Sequence, residues 1–136
     1  MARILGIDYG KVRTGLATTD PKQIIVTALD TTKTDLLEMF LINYCKKESV
    51  EKIVFGYPRH TDGEDTYLVE EIKQLINRLK TEIVQVEFDF QDERNTSVLA
   101  KNIIFNSGIK KSKRRDKSLV DQVSAVVILQ RYLGHF

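Results

Sequence analysis

Residues 6–17 read Gly6-Ile7-Asp8-Tyr9-Gly10-Lys11-Val12-Arg13-Thr14-Gly15-Leu16-Ala17, and this stretch decides the fold. Residues 3–7 predict a short buried strand and residues 14–18 its antiparallel partner, with Gly10 and Gly15 giving the backbone freedom that a tight reversal needs. Asp8 then lies at the end of the first strand, beside the turn. An aspartate in this place either caps the turn or serves as a metal ligand.

Further acids follow other predicted elements. Asp92 and Glu93 come directly after the strand-like run 83–90, and Asp121 lies at the start of the predicted last helix. Three carboxylates from distant parts of a chain suit Mg²⁺, which takes oxygen ligands and completes its shell with water and substrate phosphate. Because side chains alternate along a strand, only one of Asp92 and Glu93 can readily join Asp8.

The last predicted helix gives Asp121 two possible roles. It shares the inward stripe with Ala125, Ile128 and Tyr132, so its carboxylate would point along the sheet edge towards Asp8. It also fits a capping pattern in which Ser118 is the N-cap and Asp121 follows three residues later. Apolar residues off this stripe leave room for a dimer contact, so both a monomer and a homodimer stay open. These apolar residues are Val123, Val126, Val127 and Leu133.

The order of predicted elements indicates an α/β fold with a five-stranded mixed sheet flanked by helices. Three strands at 3–8, 13–18 and 23–28 form an antiparallel meander, and two later strands, each followed by a helix, join in parallel by right-handed crossovers. The later elements are a helix over Lys33–Lys47, a strand over Lys52–Gly56, a helix over Asp65–Lys80, a strand over Ile83–Phe90, and helices over Thr96–Asn106 and Leu119–Leu133.

Composition places limits on the class of protein. With 136 residues, 42% of them hydrophobic, we expect one domain spanning 1–136. The single cysteine, Cys45, lies in an apolar helical stretch, which favours a packed side chain over a nucleophile and suits a reducing compartment. We find no apolar leader and no run as long as a membrane span, so we expect a cytoplasmic protein with no membrane partner.

Positive charge is concentrated in one segment. The formal net charge is +2, but residues 110–117 hold six of the 21 basic residues and one acid. The six are Lys110, Lys111, Lys113, Arg114, Arg115 and Lys117. Such a run is either a solvated loop or a binding site for polyanions. Because it leads directly into the helix that carries Asp121, we predict contact with nucleic acid.

Four blocks of sequence, in this order, resemble the YqgF family of Holliday-junction-resolvase-like proteins. The blocks are Gly6-Ile7-Asp8-Tyr9-Gly10 with Arg13 and Gly15-Leu16-Ala17; Ile53-Val54-Phe55-Gly56-Tyr57-Pro58 with Asp62-Gly63; Asp92-Glu93-Arg94-Asn95-Thr96-Ser97; and Asp121 with Ser124-Ala125-Val126-Val127-Ile128-Leu129-Gln130-Arg131-Tyr132-Leu133. The family is described as candidate nucleases of pre-16S ribosomal RNA with a ribonuclease-H-like fold. One departure is the loop 57–61, which is more basic and more aromatic than is usual in the family.

The resemblance implies an enzyme, a metal-dependent endo- or exonuclease that hydrolyses phosphodiester bonds of RNA and processes the 5′ end of pre-16S rRNA in ribosome precursors. It assigns Asp8, Glu93 and Asp121 as catalytic ligands of Mg²⁺ or Mn²⁺. It also implies nucleic-acid contacts by Arg13, Arg59 and Arg94, together with the basic run. Three alternatives stay open: a resolvase of branched DNA, a non-catalytic RNA- or ribosome-binding module, and an actin-like nucleotide-binding domain. The last alternative arises because Asp8 and the neighbouring glycines also resemble the first phosphate loop of actin-like proteins.

Overall fold

The computed structural model describes residues 2–57, 63–92, 96–106 and 117–135. Its strands are β1 (Arg3–Asp8), β2 (Arg13–Thr19), β3 (Val26–Lys33), β4 (Val50–Tyr57) and β5 (Glu87–Asp92). Its helices are α1 (Leu37–Lys47), α2 (Gly63–Glu82), α3 (Thr96–Asn106) and α4 (Lys117–Tyr132), and a short 3₁₀ turn, Thr34–Leu36, precedes α1.

The five strands form one mixed sheet in the order β3-β2-β1-β4-β5. β2 pairs antiparallel with both β1 and β3, whereas β4 pairs parallel with both β1 and β5. The predicted meander of three strands followed by two parallel strands is therefore confirmed. Since β1, β4 and β5 run in the same direction, their carboxyl ends meet at one edge of the sheet, next to Asp8.

Two apolar clusters hold helices on opposite faces of this sheet. On one side, which we call the α1/α2 face, buried residues of α1 and α2 pack on the sheet. This cluster includes Leu5, Ile7 and Phe55 of the strands, Leu37 and Leu41 of α1, and Ile72 and Leu79 of α2. On the other side, which we call the α4 face, the cluster joins Ile4, Ala17, Val54, Ala125, Ile128 and Leu129. Burial of these side chains from water is the main force that fixes α4 against the sheet.

The third strand begins later than predicted. We expected a strand over 23–28, whereas β3 spans Val26–Lys33, so the prediction was wrong at both ends, and the helix predicted from Lys33 begins at Leu37. The Asp20 carboxylate accepts hydrogen bonds from the backbone N–H groups of Lys22, Ile24 and Ile25, at 3.2, 2.7 and 2.7 Å. An aspartate that accepts bonds from its own following backbone stabilises a turn. The prediction was wrong here because apolar character at residues 24–25 belongs to this turn.

The fifth strand is also displaced. The predicted strand over Ile83–Phe90 was wrong at its start, because α2 continues to Glu82 and β5 begins at Glu87. The Ile83 N–H donates to the Leu79 carbonyl at 2.8 Å, and the Val86 N–H donates to the Ile83 carbonyl at 3.1 Å. Ile83 and Val86 are both buried in the cluster on the α1/α2 face. Their apolar character therefore serves a buried helix-to-strand connection.

Two predictions about the last helix need correction. Ser118 is the second residue of α4, which begins at Lys117, and an N-cap must precede the helix with non-helical backbone angles. The N-cap assignment to Ser118 was therefore wrong. Val127, expected to be available for a dimer contact, is fully buried. Among the described residues, no helix combines the length and the apolar character needed to cross a membrane.

Candidate metal centre and nucleic-acid interface

Asp8 ends β1 at the carboxyl edge of the sheet. Side chains alternate along a strand. Leu5 and Ile7 belong to the cluster on the α1/α2 face, and Ile4 belongs to the cluster on the α4 face. Asp8 therefore falls on the α4 face, together with Ile4 and Gly6.

Helix α4 crosses this face in close contact with the backbone of β1 and β2. A Cβ atom at Gly15 would collide with the backbone oxygen of Asp121, and one at Gly6 would lie 2.8 Å from the Cβ of Leu129. Gly15 is also the residue of β2 that pairs with Asp8, and Cα atoms of such a pair lie about 5 Å apart. The missing side chain of Gly15 thus lets Asp121 lie beside Asp8.

This is a different role from the one that the sequence indicated for Gly15. The glycine was assigned to the reversal between the first two strands, but it lies inside β2, not in the turn. Its lack of a side chain is used for close approach of a helix backbone. The prediction that Asp8 and Asp121 come together is supported by this contact, which no spacing in the sequence could indicate.

Arg13 contacts Asp121 directly. The first residue of β2, Arg13, donates from Nε to Oδ2 of Asp121 at 2.9 Å. Its side chain is 40% exposed, and that of Asp121 is 23% exposed. The sequence predicted Arg13 as a contact for nucleic acid; the structure places it at the candidate metal centre.

The donor atoms at this place fit a hard divalent cation. Asp8 and Asp121 offer carboxylate oxygens, and Mg²⁺ is commonly bound by one or two carboxylates with water and substrate phosphate completing its shell. One helical turn after Asp121, the buried hydroxyl of Ser124 has no hydrogen-bond partner among the described residues. A buried polar group without a partner costs free energy, so this hydroxyl is an exception among the buried polar side-chain atoms of the described residues. Ser124 belongs to the fourth block of sequence, but no prediction concerned its hydroxyl.

The third predicted carboxylate, Glu93, lies outside the described residues, and within the described ranges no three potential ligands of the His, Cys, Asp or Glu type cluster together. Its neighbour Asp92 is the last residue of β5. Phe88 and Phe90 of the same strand pack on the α1/α2 face, so alternation places Asp92 on that face, opposite to Asp8. This placement agrees with the choice of Glu93 over Asp92.

Most of the predicted nucleic-acid contacts also lie outside the described residues. These are Arg59, Arg94, Lys110, Lys111, Lys113, Arg114 and Arg115. Lys117 is the first residue of α4, the helix that carries Asp121. Tyr57, in the second block of sequence, packs edge-to-face against Phe90, with ring centroids 5.6 Å apart, and remains 36% exposed.

A polar cavity of about 260 Å³ lies on the α1/α2 face, next to Tyr9, the residue that follows Asp8 in the chain. Tyr9 lines it and donates from its hydroxyl to Glu71 at 3.0 Å. Burial, and after it this hydrogen bond, raise the pKa of Tyr9 above its ordinary value. Arg78 and Glu38 form an ion pair at 2.8 Å in the same lining. These groups satisfy one another, so we place the chemistry at the carboxylates on the other face.

The far end of α4 is held by a polar contact. Lys52 of β4 donates to the Tyr132 hydroxyl at 2.8 Å, and this hydroxyl donates to Asp89 of β5 at 2.7 Å. The hydrogen bond from Tyr132 lowers the pKa of Asp89. Helix α4 is thus fixed near Asp121 by its contact with Gly15 and near its end by Tyr132, which sets the position of the Asp121 backbone.

Comparisons with known proteins show the family to which the chain belongs. The family model described as "RuvX: Holliday junction resolvase" matches residues 2–135. A protein of Porphyromonas gingivalis, named "Putative pre-16S rRNA nuclease", is 47% identical over 135 residues, covering 99% of this chain and 98% of the relative. A protein of Phocaeicola vulgatus with the same name is 44% identical over 133 residues, covering 98% and 96%.

A solved structure shows the same fold. Thermus thermophilus RuvC, determined in complex with a Holliday junction substrate, matches with a TM-score of 0.63 and 15% identity, covering 98% of this chain and 97% of that one. The ribonuclease-H-like fold that the sequence motifs implied is confirmed, as is the predicted grouping with nucleases. Because the family model matches nearly its whole length, this chain belongs to the RuvX family of Holliday junction resolvases.

Proposed function

We propose that this chain is a metal-dependent nuclease that hydrolyses phosphodiester bonds in the precursor of 16S ribosomal RNA, in the cytoplasm, as one catalytic domain over residues 1–136. The names of relatives at 44% and 47% identity support the substrate. The observation that carries the proposal is the contact of α4 with Gly15, because it brings Asp121 beside Asp8.

In this proposal Asp8 and Asp121, with Glu93 as a third ligand, hold Mg²⁺ or Mn²⁺. The ion, when bound, supplies an activated water and stabilises the charge that develops on the leaving oxygen. The protein supplies the rest through position. β1 and α4 fix two carboxylates on one face of the sheet, and Gly15 keeps the space between their backbones small. No protein nucleophile is required.

The basic residues bind and orient the RNA. The run Lys110–Lys117 ends four residues before Asp121 in the chain, so its charge would hold the phosphate backbone next to the carboxylates. Arg59 and Arg94 complete the proposed contacts. A basic run binds RNA and DNA alike, so a branched DNA substrate is the second candidate, and the fold shared with a junction-bound resolvase favours testing it.

A cleavage assay with two matched variants tests the proposal. Wild-type protein, Asp8→Asn and Asp92→Asn would be incubated with end-labelled precursor 16S rRNA and with a four-way DNA junction, in Mg²⁺, in Mn²⁺ and in chelator. We expect metal-dependent cleavage of the RNA that falls on the order of a hundredfold or more in Asp8→Asn, because a ligand of the activating ion is lost. Asp92→Asn should cleave normally, since Asp92 lies on the opposite face.

Each other outcome has a definite meaning. Preference for the junction would make the protein a resolvase of branched DNA. Binding of RNA without cleavage under any metal condition would identify a non-catalytic binding module. Cleavage that is the same in wild type and Asp8→Asn would show that the carboxylate site does not catalyse the reaction. The sizes of the products would also distinguish an endonuclease from an exonuclease.

A further inference from the structure

The ion pair between Arg13 and Asp121 joins two parts of the chain that are 108 residues apart. Arg13 Nε and Asp121 Oδ2 lie 2.9 Å apart. The guanidinium of arginine is always protonated and presents several N–H donors in a fixed fork. One carboxylate of the proposed metal centre therefore already has a permanent cation beside it.

Charge balance gives this contact a function. The backbone of Asp121 lies against Gly15, the residue that pairs with Asp8, so in the proposed metal centre the two carboxylates are neighbours, and neighbouring carboxylates repel each other unless a cation compensates them. Arg13 supplies that compensation from within the protein. A divalent cation bound by Asp121 would supply the same compensation and would repel the guanidinium. The two cations therefore compete for one carboxylate.

Arg13 can leave this contact without disturbing the fold. Its side chain is 40% exposed and that of Asp121 is 23% exposed, so the ion pair is partly open to water, and water weakens ion pairs that it can reach. Arginine is also the side chain best suited to a phosphate, because its fork matches two phosphate oxygens. A guanidinium released from Asp121 would remain beside the proposed metal centre, where the scissile phosphate would bind.

We propose that Arg13 is an internal counterion of Asp121 that exchanges with the divalent cation, and that the released guanidinium then binds the RNA phosphate. This inference rests on the proposed function. It predicts that metal and RNA bind with positive coupling, because each favours the state in which Arg13 has left Asp121. Without metal, Arg13 is occupied by Asp121 and contributes little to RNA binding.

The chain offers a matched control arginine. Arg78 pairs with Glu38 at 2.8 Å, and both side chains are partly exposed, at 54% and 36%. This pair lies on the α1/α2 face, away from Asp8 and Asp121. A variant of Arg78 therefore loses the same type of interaction and the same charge without touching the proposed site.

The test measures binding without relying on turnover. Mn²⁺ affinity would be determined by calorimetry for wild type, Arg13→Gln, Arg13→Lys, Arg78→Gln and Asp8→Asn. We expect Arg13→Gln to bind Mn²⁺ about two- to fivefold more tightly than wild type, which is the range expected for losing an exposed ion pair. Arg13→Lys, which keeps the positive charge, and Arg78→Gln should bind Mn²⁺ like wild type. Thermal unfolding of each variant would show that it is folded.

RNA affinity completes the test. A short RNA with a hydrolysis-resistant phosphorothioate backbone would be titrated with and without Mn²⁺. Wild type and Arg78→Gln should bind the RNA more tightly in Mn²⁺, and Arg13→Gln should lose most of this gain while its affinity in chelator stays near that of wild type.

The failures are distinguishable. If Mn²⁺ binds wild type but not Asp8→Asn, and Arg13→Gln shows unchanged or weaker Mn²⁺ affinity, the proposed metal centre stands and Arg13 is only a clamp that positions Asp121. The same holds if Arg13→Gln keeps the full Mn²⁺-dependent gain in RNA affinity. If Mn²⁺ binds no variant and not the wild type, the metal centre and the exchange are both wrong.

Discussion

Cys45 shows how burial changes the chemistry of one residue. Its side chain is 8% exposed, within the apolar cluster on the α1/α2 face. Burial disfavours the thiolate and raises the pKa of the thiol from 9.0 to about 11. A thiol that stays protonated at neutral pH is a weak nucleophile. The interpretation of Cys45 as a packed side chain is therefore confirmed.

This pKa predicts how stability depends on pH. In the unfolded chain the thiol loses its proton near its ordinary value, whereas in the folded protein it keeps the proton until about pH 11. The folded state binds more protons in this window, so the free energy of unfolding decreases as the pH rises from about 9 to about 11. Urea titrations of wild type at several pH values would measure this decrease.

Cys45→Ala is the control for that measurement, because other groups also titrate in the alkaline range. The variant lacks the thiol, so its stability should fall less steeply than that of wild type above pH 9. Equal slopes in the two proteins would show that Cys45 is not the cause. The variant is less stable at all pH values, since it leaves a cavity, but the slope does not depend on that offset.

At the residue scale, the sequence could indicate Asp8 because a strand end and a turn bracket it within a few positions. It could not indicate the contact between Arg13 and Asp121, or that the Ser124 hydroxyl has no hydrogen-bond partner in the part of the chain that the structure describes. Both depend on how α4 lies across the sheet, and helical periodicity fixes only which residues share a face. The exact rotation and height of the helix come from packing with residues far away in the chain.

At the scale of elements, α4 packs directly on the backbone of β2 because Gly15 has no side chain. We expect Gly15→Ala to lower the free energy of unfolding by about 3 kcal/mol, the upper end of the range for overpacking, because its Cβ would collide with the Asp121 backbone oxygen. The helix must also move away from Asp8, so Mn²⁺ binding should weaken. Chemical denaturation and calorimetry measure the two effects.

A second glycine gives the control. A Cβ at Gly134 meets no atom of the described residues within 4 Å, but its φ of +79° makes an alanine locally strained there, at a cost of about 1–2 kcal/mol. Gly134→Ala should therefore be somewhat less stable and bind Mn²⁺ like wild type. If Gly15→Ala matched wild type in both measurements, the close contact of α4 with β2 would not position the site.

Element order and pairing could be predicted from the sequence, whereas several boundaries could not, among them the starts of β3 and β5. The displaced start of β3 follows from the Asp20 carboxylate, which caps a turn through 20–25. The displaced start of β5 follows from Ile83 and Val86, which are buried outside any strand. In both places the apolar residues lie in a turn or a connection and not in a strand. An apolar run in the sequence does not distinguish these cases from a strand.

At the scale of the whole molecule, the distribution of charge predicts how the protein binds RNA. Outside residues 110–117 the chain holds more acidic than basic residues, so attraction to phosphate must come mainly from that run. Replacing Lys110, Lys111 and Lys113 with glutamine should weaken RNA binding. It should also reduce the slope of log affinity against log salt by about 0.7 for each phosphate that the variant no longer neutralises. Fluorescence anisotropy at several salt concentrations measures both.

Three lysines at the other edge of the sheet provide the control. Lys22, Lys46 and Lys47 are exposed and lie before the starts of β3 and β4, at the end of the sheet away from Asp8. Their triple replacement removes the same charge, so it should leave the salt slope nearly unchanged. A slope reduced equally in both triple variants would mean that RNA responds only to net charge.

The position of Asp121 on a helix packed over β1 and β2 has a consequence for the life of the chain. The two acids belong to elements about a hundred residues apart, so the hairpin of β1 and β2 contributes only Asp8 until α4 packs on it. If both acids hold the metal, as we propose, cleavage of RNA requires the packing of α4, and a chain that has not completed this step would not cut RNA. A cation that requires both acids would also bind only the fully folded protein, and it would therefore raise the free energy of unfolding.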